Sequence, residues 1–148
     1  MSEKQALREH CFLLLKRQIL SNESAMAEVK AAIHNETKSS AGDKFETARA
    51  TMQQEVDRLK GSIIKLKQQE QLLKQTPSTS CEAVCPGALV LTDRGQYFIS
   101  IALGKLQVAG NKYYAISPQA PIYQSMRDKK ANDNFTFNGK QIQIISIQ

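Results

Sequence analysis

Residues 42–46, Gly42-Asp43-Lys44-Phe45-Glu46, lie between two long stretches of heptad-like apolar spacing. Upstream, Leu15, Ile19, Asn22, Met26, Val29 and Ile33 recur at steps of 4, 3, 4, 3 and 4. Downstream, Met52, Val56, Leu59, Ile63, Leu66, Glu70 and Leu73 recur at 4, 3, 4, 3, 4 and 3. A narrow seam with a period of about 3.5 is the pattern of a coiled coil. Two such helices joined by a short connection fold back antiparallel and bury each other's seam. At about 1.5 Å per residue, some thirty residues make a rod roughly 45 Å long. The acidic segment is therefore expected at the exposed tip of a probe, far from whatever the other end joins.

The first helix is predicted from Ser2, acting as N-cap, to about Asn35, because no Gly or Pro interrupts it. The second is predicted from Asp43 to about Gln75, where Thr76-Pro77 ends it. Gly61 inside it costs about 1 kcal/mol relative to Ala and marks a bend or a close approach. Asn22 and Glu70 within the seam set register or lie at its wet margin.

Past this point the composition changes. Residues 75–85, Gln-Thr-Pro-Ser-Thr-Ser-Cys-Glu-Ala-Val-Cys, read as a linker. Of five Phe and four Tyr, only Phe12 and Phe45 precede residue 86, and a thin coiled coil has little room for rings. Ala88–Thr92 and Tyr97–Leu103 are β-rich and bracket the turn Asp93-Arg94-Gly95. Leu106–Val108 and Tyr113–Ile116 flank Ala109-Gly110-Asn111, and Asn138-Gly139 between Phe135–Phe137 and Gln141–Ile145 suits a type I′ hairpin. Pro121 to Arg127 is predicted as one short helix with Pro121 in its first turn. Tyr113 and Tyr114 point to opposite faces of their strand, so at most one is core, with stacking on RNA only a minor alternative for the other. The expected fold is α+β: 1–75 an antiparallel coiled-coil hairpin with its acidic tip near 36–46, 76–85 a linker, and 86–148 a small, mainly antiparallel β domain with one short helix.

The first fifteen residues alternate charged and apolar positions and lack a small-residue cleavage site, so no signal peptide is expected. No apolar run reaches spanning length, and no membrane partner is expected. Cys11, Cys81 and Cys85 are an odd set, which points to a reducing compartment, three plain thiols and a cytoplasmic location. Cys81 and Cys85 are also half of a possible zinc site, but the only histidines, His10 and His34, sit on the hairpin. Two histidines, with no nucleophile–base cluster and no Gly-rich phosphate loop, offer little from which to build a complete active site. The net charge of +6 is uneven: from Arg58 to Lys74 the second helix carries Arg58, Lys60, Lys65, Lys67 and Lys74 against a single Glu70. Such a face is either a solvated coiled-coil surface or a track for a polyanion.

Asp43 and Glu46 are three residues apart at the predicted start of the second helix, on one face. They can share a hard cation such as Mg²⁺, or they can act as N-cap and N3 residue of a capping box that needs no metal. Two carboxylates do not complete a Mg²⁺ site, so any chemistry here requires a partner that supplies the remaining ligands.

Together these residues resemble the bacterial Gre transcript-cleavage factors. The similarity spans nearly the whole chain in architecture and is specific in two places. At the tip, the family's Gly-Asp-Leu-Ser-Glu-Asn-Ala-Glu-Tyr aligns with Gly42-Asp43-Lys44-Phe45-Glu46-Thr47-Ala48-Arg49-Ala50. Later, Ile116-Ser117-Pro118-Gln119-Ala120-Pro121-Ile122, followed by Met126, Lys129 and Asp133, is similar to the family's Ser-Pro-rich stretch and its Gly-Lys-x-x-Gly-Asp. Here Asp128 and Asn132 replace the two glycines, and Lys44, Phe45, Thr47, Arg49 and Ala50 depart from the tip pattern.

The resemblance implies an FKBP-like second domain that docks on RNA polymerase, with Ser117, Pro118, Pro121 and Ile122 at the contact. It implies a monomer whose hairpin enters the secondary channel, with Lys44, Arg49, Arg58, Lys60, Lys65 and Lys67 toward polymerase and nascent RNA, and DNA as a further option. Asp43 and Glu46 would help hold the polymerase's second Mg²⁺, so that the polymerase cuts its own backtracked RNA and the factor is not itself an enzyme. It would have no cofactor or metal of its own. Two alternatives remain: a non-catalytic regulator in the same channel, and a helical-hairpin adaptor or chaperone unrelated to transcription.

Overall fold

In a computed structural model of the protein, the backbone of residues 2–36 and 42–148 and the side chains of residues 2–35 and 46–148 are described. Helix α1 (Glu3–Glu36) and helix α2 (Gly42–Gln75) precede strands β1 (Leu89–Thr92), β2 (Gly95–Ile99), β3 (Gly104–Val108) and β4 (Asn111–Ile116). Helix α3 (Pro121–Met126), β5 (Asn134–Phe137) and β6 (Lys140–Ile147) complete the chain. This is the expected α+β architecture. The connection at 37–41, where much of the tip was expected, lies outside the described residues.

The chain divides into two compact bodies, one helical (Leu13–Glu70) and one, the β body, made of Met1–Phe12 with Gln71–Gln148. In the helical body the expected seam is the buried stripe. Leu15, Ile19, Val56, Leu59, Ile63 and Leu66 are buried, and Asn22, Met26, Val29, Ile33 and Met52 are half-buried. Burial of each large aliphatic chain contributes about 1.5–3 kcal/mol. Asn22 donates from Nδ2 to Ser62 Oγ at 3.0 Å, so the polar seam position has a partner on the other helix. Helix α2 runs unbroken through Gly61, and nothing lies within 4 Å of where a Cβ would stand there. The expected close approach at Gly61 is therefore corrected.

The β body begins with the first turns of α1. Ser2 caps the helix, its Oγ accepting from Gln5 N–H at 3.1 Å, as the sequence predicts. Leu7 and Cys11 are fully buried within this body, with Leu73 from the last turn of α2. Two cations tie main-chain carbonyls together. Lys4 Nζ donates to Thr79 O (2.8 Å) and Gln148 O (3.3 Å), and Arg8 donates to Thr76 O (2.7 Å) and Lys74 O (3.3 Å). The Arg8 contacts satisfy carbonyls that the end of α2 leaves without helical partners.

The six-stranded sheet has the order β3-β4-β2-β1-β6-β5. All neighbours are antiparallel except β2 and β4, which run parallel with Tyr97 opposite Tyr114 and Ile99 opposite Ile116. Asn138 (φ 52°) and Gly139 (φ 74°) take the left-handed pair of conformations that the predicted β5–β6 turn requires. Val84, Ala88, Val90, Ile99, Tyr123, Met126, Phe135, Ile142 and Ile144 form one buried cluster against one sheet face.

The three-thiol expectation is corrected: Cys81 and Cys85 form a disulfide, and only Cys11 is free. Both half-cystines pack against the core cluster, which brings their sulfurs together at the end of the linker.

Candidate functional site

The residues singled out for function fall into three places. At the start of α2, Asp43 and Lys44 lie in the first helical turn, and their side chains are outside the described residues. Glu46 is described and exposed. Arg49, three residues on and likewise exposed, forms no ion pair with it among the described residues. The Glu46 carboxylate is therefore open to a ligand brought by another molecule. Because α2 begins at Gly42, Asp43 sits inside the helix rather than at its N-cap.

Farther along α2, Arg58, Lys60, Lys65 and Lys67 are all exposed. With about 100° per residue, Arg58 and Lys65 fall on one side of the buried Leu59–Ile63–Leu66 seam, and Lys60 and Lys67 on the other. The helix thus deals its positive charge into two stripes flanking the seam. Arg58 is also engaged within α2, its Nε donating to Glu55 Oε2 at 2.9 Å with a second contact to Oε1. The hydrogen bond to Arg58, followed by its charge, holds the Glu55 carboxyl below its ordinary pKa, and the Glu55 hydrogen bond raises that of Arg58. Lys60, Lys65 and Lys67 form no ion pair among the described residues.

In the β body, the loop from β4 into α3 collects the third group. Ser117 Oγ accepts from Gln119 N–H (2.9 Å), Ser117 O from Ala120 N–H (3.0 Å), and Pro118 O from Gln124 Nε2 (2.8 Å). These bonds hold Ser117 and Pro118 in one tied loop, with Pro121 exposed at the first position of α3. Ile122 instead packs against the core cluster and is half-buried.

Beyond α3, Asp128 (φ 65°) and Asn132 (φ 73°) both adopt left-handed backbone conformations. These are the two positions where the resembled family carries glycine. Asp and Asn are the non-glycine residues that best tolerate this region, so the substitutions keep the chain path. Asp133 Oδ2 accepts from Lys130 N–H at 2.8 Å and closes the turn.

A cleft of about 320 Å³ is lined by Ser2, Lys4, Arg8, Pro77, Phe98 and Gln148 among others. Its two cations already bind main-chain carbonyls, and burial, followed by the charge of Arg8, lowers the pKa of Lys4. That is a structural arrangement. Sequence reasoning passed over the stitching by Lys4 and Arg8, for which helical periodicity carries no signal.

No family model and no curated protein significantly matches the chain. Among solved structures, it is similar to a structure of the transcription factor Gfh1, at 16% identity over 93% of this chain and 92% of that one, with a TM-score of 0.36. It is also similar to a crystal structure of the GreA factor homolog Gfh1 of Thermus thermophilus, at 15% identity over 93% of this chain and 94% of that one, with a TM-score of 0.37. TM-scores this low leave the meaning of the site to its own residues.

Proposed function

We propose that the chain binds RNA polymerase, places its helical pair in the secondary channel and stimulates the polymerase to cleave backtracked RNA, acting as a factor rather than an enzyme. The observation that carries this proposal is the opening of α2 on Gly42-Asp43-x-x-Glu46, with Glu46 exposed and unengaged among the described residues. The left-handed conformations at Asp128 and Asn132 support the same kinship. In this reading the tied loop of Ser117, Pro118 and Pro121 docks on the polymerase, and Arg49, Lys60, Lys65 and Lys67 face polymerase or nascent RNA.

In two-metal phosphodiester hydrolysis one ion would stabilise the leaving oxygen and the other would activate water; the second of these, a Mg²⁺ of the polymerase, is the one these carboxylates would help hold. The part of this chain is to present the Asp43 and Glu46 carboxylates. Glu46 fits that role in exposure, and carboxylate oxygen is the donor type a hard cation takes.

The test is a cleavage assay on backtracked elongation complexes with wild type, Asp43→Ala and Glu46→Ala. Loss of stimulated cleavage in both variants, with polymerase binding retained, is expected. A wild-type protein that neither binds polymerase nor alters transcription on stalled templates would refute the proposal. The replacement of a family Glu by Arg49 favours a second reading, a non-catalytic channel regulator. Its mark would be polymerase binding without cleavage, insensitive to Asp43→Ala.

A further inference from the structure

The β body has a surface that the proposed function leaves unused. Along β4 the side chains alternate: Tyr113 and Ala115 are buried on one face, while Lys112 and Tyr114 stand on the other. Strand register assembles that second face across three strands, because Tyr97 of β2 and Lys105 of β3 both lie directly opposite Tyr114. The Tyr97 and Tyr114 rings are stacked, with centroids 5.6 Å apart and planes 27° from parallel. Tyr97 leans on the core cluster and is half-buried, whereas Tyr114 is 36% exposed. Gly95 shares this face, and a Cβ there would stand 3.4 Å from Tyr114 Cε2, in ordinary van der Waals contact with the ring.

The positive charge on this face, from the exposed Lys105 and Lys112, has no ion-pair partner among the described residues. Several carboxylates of the body are occupied elsewhere. Glu3 is held by Tyr113 on the opposite face, Asp93 accepts from Gln143 N–H, Asp128 pairs with Arg127, and Asp133 closes its own turn.

A stack that only filled a core would have both rings buried and no charge at its margin. Here a half-buried inner ring backs an exposed outer ring on the sheet, and two cations with no ion pair among the described residues stand at the side, one of them on the edge strand β3. Bases stack on such rings, and phosphates pair with such lysines. We propose that Tyr114, backed by Tyr97 and flanked by Lys105 and Lys112, forms a site for single-stranded nucleic acid. An apolar peptide would leave both lysines without countercharge, and in a duplex the base faces are covered by their neighbours. The site is independent of the acidic segment of α2.

The experiment measures binding of a fluorescent twelve-nucleotide oligouridine to the full chain by anisotropy, without polymerase, alongside a duplex of equal length and a proline-containing peptide. Tyr114→Ala is expected to weaken binding about tenfold, the effect of removing one stacked base, while Tyr114→Phe binds like wild type. Lys105→Ala/Lys112→Ala is expected to weaken binding and flatten its salt dependence. Ultraviolet cross-linking of the oligomer is expected to label the peptide containing Tyr114, a readout that holds even where Tyr114→Ala fails to fold. No wild-type binding, equal affinity of wild type and a folded Tyr114→Ala, or cross-links confined to α2 would overturn the proposal. So would a duplex bound as tightly as the single strand, or the peptide taking the Tyr114 surface instead. Because polymerase is absent, these outcomes are separate from success or failure of the cleavage assay.

Discussion

The phenol of Tyr113 on β4 donates a hydrogen bond to the Glu3 carboxylate in the first turn of α1, across 110 residues of sequence. Tyr113 is 2% exposed, so the bond joins a buried ring to the helix start. Tyr113→Phe removes it while keeping the ring, and is expected to cost about 1–2 kcal/mol in urea unfolding. Burial first, and then the Glu3 hydrogen bond, raise the Tyr113 pKa above the ordinary phenol value. An acid whose pKa is raised on folding stabilises the folded state below its unfolded pKa. That contribution is lost as pH climbs from there through the folded value. Wild type should therefore lose stability above about pH 10, and Tyr113→Phe should show a shallower alkaline slope.

Gly87 has φ of 93°, and a Cβ on it would stand 2.1 Å from the Pro77 carbonyl oxygen, a main-chain atom that cannot swing aside. Gly87→Ala is expected to cost about 3 kcal/mol or more. Gly110 has a similar φ of 82° with nothing within 4 Å, so Gly110→Ala isolates the conformational share. Thermal unfolding of the two variants should differ by the clash. Equal losses would mean that Pro77 does not lie over Gly87.

Gly61→Ala is expected to stabilise the protein by up to about 1 kcal/mol, because the helix position is open and Ala is the better helix former. Denaturant midpoints measure this directly. A loss of stability would indicate a contact at Gly61 that the structure does not contain.

Cys11 is fully buried, and burial, moderated by the Arg8 charge, pushes its thiol up to about 11. The folded protein should resist iodoacetamide at pH 8 and react only at the rate of opening, whereas the unfolded chain reacts at once. The raised value also has a stability consequence with the same sign as that of Tyr113. The unfolded thiol deprotonates first, so stability falls as pH rises from about 9 toward 11.

Much of this architecture is legible from periodicity. The steps of 3 and 4 mark the residues buried between α1 and α2, and alternation with turn residues places all six strands within a few positions. Other features escape because they are non-local. Alternation tells which face a residue takes but not which strand lies beside it, so the parallel β2–β4 pair was not foreseen. Cys-Glu-Ala-Val-Cys reads the same for two thiols, a metal half-site or a disulfide, and only the packing of both sulfurs near the core separates them. Basic residues on α2 read as one face when taken in order, yet their spacing around the helix splits them across the seam. For the candidate site, Asp43 and Glu46 can be picked out by residue type and spacing. The Tyr97–Tyr114 stack depends on strand register, and no local pattern encodes it.

Strand β6 lies between β1 and β5, and the same body includes the first turns of α1. During translation, Leu7 and Cys11 therefore leave the ribosome long before residues 140–147 can close the sheet. Until β6 is made, the edge of β1 that it pairs with has no strand beside it. A chain lacking β6 would leave that edge unpaired and would remove Ile142 and Ile144 from the core cluster. The sheet order thus makes closure of this body a long-range event, joining residues near 90 to residues 140–147.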